Sequence, residues 1–381
     1  MPRSIFEADH EDFRQTVRKF VQSHVMPNYA RYCEQRLIDR ELWLAAGELG
    51  LLGLHVPEAY GGSEAGDWRF TAVVLEELSS FSSGLSSSFG IHCDIVAPYL
   101  CELTTPEQKQ RWLPGFASGE LISAIAMTEP SGGSDLANLR TSAMRTDDGW
   151  ILNGSKTFIT NGSRADLVVV AARTGVGRPS QCISLFVVER DTPGLTRGQK
   201  LDKVGQEESD TAELFFDDAV VPLDNLIGEP GRGFPHMMER LTQERLNCAV
   251  SNLAHAQSVF DQTLAYVKSR KAFGSPIGSF QHNRFTMAEM ATSLDVTRSF
   301  LHDCVMAHVE GELTNVQAAK AKWWSAQVQN EVLDHCVQLF GGYGYMRETP
   351  VARAWLDGRV SKIWAGTNEI MKELVGRDLG L

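Results

Sequence analysis

From Gly233 the chain carries three long helical patterns in succession: FPHMMERLTQERLNCAVSNLAHAQSVFDQTLAYVKSRKAFG, QHNRFTMAEMATSLDVTRSFLHDCVMAHVEG and TNVQAAKAKWWSAQVQNEVLDHCVQLFGGYG. Apolar residues recur at three and four along each, and each outlasts an ordinary globular helix. Helices of this length bury their apolar stripes best against one another, which predicts a bundle.

The rest of the chain has a different texture. From Glu7 to about Glu120 the pattern is again helical, as in DFRQTVRKFVQSHVM and RELWLAAGELGLLGL, with a break at VPEAYGG. Between Leu121 and about Asp224 come short β-rich runs, WILNG, KTFITNG, ADLVVVAAR, ISLFVVER and TAELFFDD. Asn153-Gly154 and Asn161-Gly162 supply turn signals between them, and TGVGRPSQ, 174 to 181, reads as an exposed loop between strands. The predicted architecture is α+β and multidomain: an N-terminal helical domain over residues 1–120, a middle β-domain over 121–230 and a C-terminal helical bundle over 231–381.

Charge and cysteine content narrow the function classes. Thirty-six basic against 48 acidic residues give a formal charge of −12, which argues against general attraction to nucleic acid or an anionic membrane surface. Seven cysteines, an odd count without a C-x-x-C pair, suggest neither a disulfide framework nor a metal site, and point to a reducing, cytoplasmic setting. The N-terminal stretch MPRSIFEADHEDFRQTV is acidic and amphipathic and lacks the apolar core of a signal peptide; no apolar run is long enough for a membrane span.

Common catalytic motifs are missing. There is no G-x-x-x-x-G-K-[ST], no G-x-S-x-G and no H-E-x-x-H, and TGVGRP lacks the strand-to-helix context of a dinucleotide fingerprint. AMTEPSGGSD, Ala126 to Asp135, is more informative: its glycines allow close backbone approach, and its hydroxyls and successive amides can meet a pyrophosphate without lysine. A plain loop joining two domains explains it equally well.

Met237, Leu241, Glu244 and Cys248 follow a 4-3-4 spacing that puts Glu244 on an apolar helical stripe. A buried carboxylate costs several kcal/mol unless it is paired or stays protonated, so Glu244 is either half of an ion pair, for instance with Arg245, or a catalytic acid or base. A third cluster, QLFGGYGYMRETPVARAW, has Gly341 and Gly342 placed to stop a helix, and its aromatics could pack around a planar cofactor.

AMTEPSGGSD, KTFITNG, RKAFG, QLFGGYGY and the terminal IWAGTNEIMKEL occur in an order that closely resembles the acyl-CoA dehydrogenase family of flavoproteins, over essentially the whole chain. The resemblance implies a helical domain, a β-domain and a C-terminal four-helix bundle, assembled as a homotetramer or sometimes a dimer. It also implies FAD as cofactor, an acyl-CoA substrate oxidised to its trans-2-enoyl form, and an electron-transfer flavoprotein as acceptor.

Residue by residue, the resemblance places Met127 and Thr128 at the flavin edge and Gly133 and Ser134 at the pyrophosphate or the nearby thioester arm. Phe158, where many relatives carry tryptophan, and Thr160 would flank the flavin. Arg270, Phe273, Gln281, Gln338 and Gly342 would reach the FAD of a neighbouring subunit, and Thr367 and Glu369 would open a helix near the cofactor. Ser134, Arg245 and Gly366 are assigned to the substrate side, with Arg245 organising the site.

Many members carry the catalytic glutamate directly before the GT of the terminal motif, where this chain has Ala365. Isovaleryl- and long-chain-specific members instead resemble this chain, with a small residue there and a glutamate before the arginine of the long helix, here Glu244 before Arg245. The resemblance therefore makes Glu244 the base and leaves Ala365 a backbone N–H for the thioester oxygen. One departure is VGQEESDT, with Glu207 and Glu208 where relatives have basic or neutral residues; it raises a carrier-protein thioester as an alternative to coenzyme A. An oxidase or monooxygenase on the same fold, and a flavin-binding protein without activity, complete the alternatives.

Overall fold

Capping chemistry sets the boundaries of the first domain. The structure, a computed structural model, describes residues 4–381; the first three residues of the acidic N-terminal stretch lie outside them. Helices α1 (Ala8–Phe20), α2 (Tyr29–Gln35), α3 (Arg40–Glu48), α4 (Trp68–Phe81), α5 (Ser83–Gly90), α6 (Ala97–Glu102) and α7 (Pro106–Ser118) follow one another. Asp67 accepts the Arg69 amide of α4 and Ser82 the Leu85 amide of α5, and Thr105 with Gln108 forms a capping box on α7, whose first residue is Pro106. Trp43 stacks on Phe89 with ring centroids 4.4 Å apart at the centre of this core. Between α5 and α6 the chain winds as a π-helix, Ile91–Val96, and both polar side chains of that wide turn, His92 and Asp94, are buried.

The middle domain holds β1 (Ser123–Ala126), β2 (Ser142–Arg145), β3 (Gly149–Thr160), β4 (Leu167–Arg173), a short helix α8 (Pro179–Cys182), β5 (Ile183–Glu189), β6 (Leu195–Lys200), β7 (Thr211–Pro222) and β8 (Leu226–Ile227). They form one mixed sheet in the order β6-β7-β3-β2-β4-β5-β8, with β1 parallel to β4. The unbroken apolar run of β4 is explained by burial on both faces. Leu167, Val169 and Ala171 face Trp112 and Phe116 of α7, while Val168, Val170 and Ala172 face Trp150, Phe186 and Leu214 of the sheet itself.

One of the two turn signals is not a turn. β3 runs through Asn153-Gly154 without interruption, and its register against β7 shifts there, so the pair marks a β-bulge. Gly154 sits at φ +146, and a Cβ on it would meet Thr141 Oγ1 at 2.6 Å. Asn161-Gly162 does turn the chain, but into β4, which does not pair with β3; Asn161 holds the corner by donating to the carbonyls of Ser88 and Ser123. The 174–181 segment is exposed from Gly175 to Arg178 and ends in α8.

The three long patterns become α9 (Gly233–Ser269), α10 (Gln281–Val309) and α11 (Asn315–Phe340), with a small hairpin of β9 (Lys271–Ala272) and β10 (Ser275–Pro276) before α10. Shorter helices α12 (Pro350–Gly358) and α13 (Asn368–Asp378) finish the chain, and α13 lies against α11 as the fourth, short member of the bundle. α9 packs on α11 and α10 and also on α4 of the first domain. As a result Glu244, Arg245, Leu246 and Asn247 are all buried, so α9 is enclosed all round at this level instead of burying one stripe; Leu241 and Cys248 of the expected stripe are only half-buried.

Candidate active site

Glu244 lies where α9 is enclosed by two domains. It is 8% exposed, and its Oε1 has no hydrogen-bond partner. Burial pushes its pKa up to about 7; Asp94 pushes it the same way, while Arg245, Tyr99 and Arg240 favour the charged form without prevailing. The expected alternative, an ion pair with Arg245, does not form: Arg245 Nη1 donates to Asn315 Oδ1 at the start of α11. Arg240 lies over the ring of Tyr99, 5.1 Å from its centroid, and binds Glu102. Glu244 is thus a carboxylate with a free oxygen and a raised pKa, the state a general base needs near neutral pH.

The terminal motif forms a tight turn. Ala365 and Gly366 both adopt left-handed backbone, at φ +50 and +86, and Thr367 caps α13 by accepting the Ile370 amide at 3.3 Å. At φ +86 Gly366 holds a conformation that a side chain would strain, and a Cβ there would also push aside the Met371 methyl. Among the described residues no acceptor takes the Ala365 N–H. The turn is tied to the bundle by Lys322 of α11, fully buried, whose Nζ donates to the Gly366 carbonyl at 2.5 Å. Lys322 also faces Cys248, one turn beyond Glu244, and burial pulls its pKa down to about 8. Glu244 and the turn are therefore joined through α9 and α11.

The loop expected at the cofactor lies between β1 and β2 and is stapled to β3. Lys156 Nζ donates to Glu129 Oε1 at 2.8 Å and to the Met127 carbonyl at 3.2 Å, and Thr157 N donates to the Thr128 carbonyl. Glu129 also accepts the Arg140 and Thr141 amides, and these donors hold its pKa at about 2 despite its burial. A second bulge in β3, between Lys156 and Ile159, places Phe158 at φ +59 and leaves it 69% exposed, with Thr160 closing the strand. Gly133 packs so closely on Thr128 that an added Cβ would meet Thr128 Cγ2 at 3.2 Å, and the amides of Gly133 and Ser134 find no acceptor among the described residues. An exposed aromatic face beside a loop with free amides fits the flavin and pyrophosphate of FAD.

The second set of expected cofactor residues does not join this corner. Arg270 and Gly342 line a surface groove of about 560 Å³ with Tyr266, Phe340 and Met346, and none of residues 127–160 lines it. Phe273 is almost wholly exposed in left-handed conformation, and Gln281 and Gln338 are exposed nearby in sequence at the ends of α10 and α11. Exposure of all five is what residues assigned to a neighbouring subunit's cofactor would show. Glu369 is exposed in the first turn of α13.

Glu207 and Glu208 require a correction. Glu208 is fully buried and accepts from Ser82 Oγ and from the Leu85 amide at 3.2 Å, so it caps α5 rather than marking a channel for an unusual acyl carrier. Glu207 faces Arg347 at 3.3 Å. Sequence reasoning also passed over Asp94, Tyr99 and Lys322. The available signal was an ionisable residue set among apolar or small ones, Asp94 in FGIHCDIVAPYL and Lys322 in AAKAKWWSAQV.

Comparison with known proteins identifies the family and the fold. Residues 7–120, 124–219 and 231–380 match, in turn, the N-terminal, middle and C-terminal domains of acyl-CoA dehydrogenase. The chain is 44% identical over 379 residues to the mitochondrial long-chain specific acyl-CoA dehydrogenase of Mus musculus, covering 99% of this chain and 88% of that protein. It is 35% identical over 377 residues to the mitochondrial isovaleryl-CoA dehydrogenase of Oryza sativa subsp. japonica, covering 98% and 92%. Among solved structures, an acyl-CoA dehydrogenase from Geobacillus kaustophilus is similar with a TM-score of 0.97 at 47% identity, over 99% of both chains.

Proposed function

This chain belongs to the acyl-CoA dehydrogenase family, and from that premise we propose that Glu244 is the base that removes the α-proton of a long or branched acyl-CoA. The reaction class is oxidation of a CH–CH bond with FAD as cofactor. FAD, held by the loop of Met127, Thr128, Gly133 and Ser134 and by Phe158 and Thr160, would supply the two-electron acceptor for the β-hydrogen. The electron pair of the α C–H bond becomes the new double bond, and the proton goes to Glu244 Oε1.

The observation that carries this reading is the free, buried Glu244 oxygen with its pKa near 7. Removal of a weakly acidic proton also needs a donor for the thioester oxygen as charge develops there. The Ala365 N–H takes that role in our reading, supported by its lack of a partner and by the Lys322 post beneath the turn. Arg245, held by Asn315, keeps the adjacent turn of α9 in place. Met127, Thr128, Gly133, Ser134, Phe158 and Thr160 hold FAD from within the subunit, and Arg270, Phe273, Gln281, Gln338 and Gly342 hold that of a neighbour, within a homotetramer. Thr367 and Glu369 open α13 on the cofactor side, and Ser134 and Gly366 border the substrate.

An electron-transfer flavoprotein completes the cycle as acceptor. No described helix is long and apolar enough to cross a membrane, all seven cysteines are free, and we assign the enzyme to a reducing, cytoplasmic setting. Anaerobic mixing of the yellow holoenzyme with acyl-CoAs of graded length and branching tests the assignment. Bleaching is expected, fastest with long or branched chains; a flavin reduced by none of them contradicts it.

A further inference from the structure

Asp94 is fully buried on the π-helical turn between α5 and α6, yet every part of its carboxylate is engaged. Trp68 Nε1 donates to Oδ1 at 2.8 Å, and His55 Nε2 lies 3.5 Å from the same oxygen. The remaining donors come from α9: Gln243 Nε2 reaches Oδ1 at 2.6 Å and the Asp94 carbonyl at 3.0 Å, and Asn247 Nδ2 reaches Oδ2 at 2.7 Å. Gln243 and Asn247 stand one residue before and three residues after Glu244, so the turn carrying the base is gripped at both ends by one acid of another domain.

These donors fall on both carboxylate oxygens. A neutral amide or hydroxyl, with a single acceptor oxygen, could take only some of them, whereas a buried carboxylate costs several kcal/mol unless its partners compensate. Here the donors overcome burial and hold the Asp94 pKa below its usual value, so the group is anionic throughout the working range. Its charge faces Glu244. We propose that Asp94 is a positioning residue for Glu244, aiming the base through Gln243 and Asn247 and keeping it strongly basic through a fixed neighbouring negative charge. This rests on Glu244 being the base.

The other groups around the pair are accounted for. Arg240 and Arg245 of α9 and Tyr99 of α6 face Glu244 and favour its charged form, opposing Asp94. Cys248 faces both acids and Lys322 of α11, and burial pushes its thiol up to about 12, so it stays neutral. Cys93, likewise held neutral by burial, and His308 of α10, with its pKa lowered by burial, face Asp94 together with His55. Among the described residues facing Glu244, Asp94 alone adds a permanent negative charge.

The test compares the parent holoenzyme with Asp94→Asn and Glu244→Gln. Two pH titrations are followed: the rate of flavin reduction by an acyl-CoA in a single turnover, and the infrared band of the protonated Glu244 carboxyl, identified by its absence in Glu244→Gln. Asp94→Asn is expected to move the midpoint of both titrations down by about one pH unit and to lower the limiting rate, with FAD content retained. If Asp94→Asn does not accumulate as folded flavoprotein, Asp94→Ser serves the same test. Unchanged midpoints in the folded variant, with Glu244→Gln inactive, overturn the role of Asp94 alone. Parental flavin reduction in Glu244→Gln overturns the assignment of the base itself.

Discussion

Lys322 Nζ donates to the Gly366 carbonyl at 2.5 Å, from a side chain with no exposure to solvent, and so fixes the left-handed Ala365–Gly366 turn onto α11. Among the described residues that carbonyl has no other donor. Lys322→Met therefore leaves a polar group unpaired and lets the Ala365 N–H drift. The expected loss of stability is about 1–3 kcal/mol, and flavin reduction is expected to slow by roughly tenfold to a hundredfold, less than for outright removal of a transition-state donor. Denaturant unfolding and stopped-flow reduction read the two effects separately.

The buried Glu129–Lys156 pair makes a contrasting prediction. Removing one partner strands the other in the interior, so Lys156→Met is expected to cost about 3–5 kcal/mol and to release FAD, because the same lysine holds the Met127 carbonyl. Glu129 has its pKa lowered from 4.5 to about 2 in the folded state. Its contribution is therefore present above the unfolded value and is lost as pH falls toward about 2. Acid unfolding monitored by FAD release should shift to higher pH in Glu129→Gln.

The raised pKa of Glu244 has the opposite sign. Between 4.5 and about 7 the folded chain binds a proton that the unfolded chain releases, so this group favours folding below the lower value and loses that advantage as pH rises through about 7. At pH 8 the folded protein carries a buried charge that Glu244→Gln removes. The variant is expected to be more stable than the parent at pH 8, by up to roughly 3 kcal/mol, with the gain gone near pH 5. Thermal unfolding at the two pH values checks it; a loss of stability at pH 8 would mark Glu244 as a structural partner.

The proposed role requires Glu244 to be deprotonated in the free enzyme. The kcat/KM profile is therefore expected to fall on the acid side with a midpoint near 7, the value to which burial raises this carboxyl. A profile flat from pH 5 to 9 would assign proton removal elsewhere.

The sequence carried the architecture because its signals were local and long. Three helical patterns and a β-rich stretch survive any uncertainty about neighbours, and a carboxylate at the 4-3-4 spacing of α9 was visible as an anomaly. Asn153-Gly154 misled because turns and bulges share the same residue chemistry, and only the pairing of β3 with β7 on both sides of Gly154 distinguishes them. Asp94 was an oddity without meaning until the fold brought it to Asn247, 153 residues away. Lys322 gained its role in the same way, from a carbonyl 44 residues further along. The exposed Arg270, Phe273 and Gly342 lay outside the reach of periodicity altogether, since exposed residues leave no core pattern in their own chain.

The measurement that bears most directly on the account is single-turnover flavin reduction in Glu244→Gln, mixed anaerobically with an acyl-CoA that bleaches the parent. The account predicts a folded, yellow, FAD-replete protein whose reduction is slower by on the order of a thousandfold or more. Reduction at close to the parental rate would contradict it.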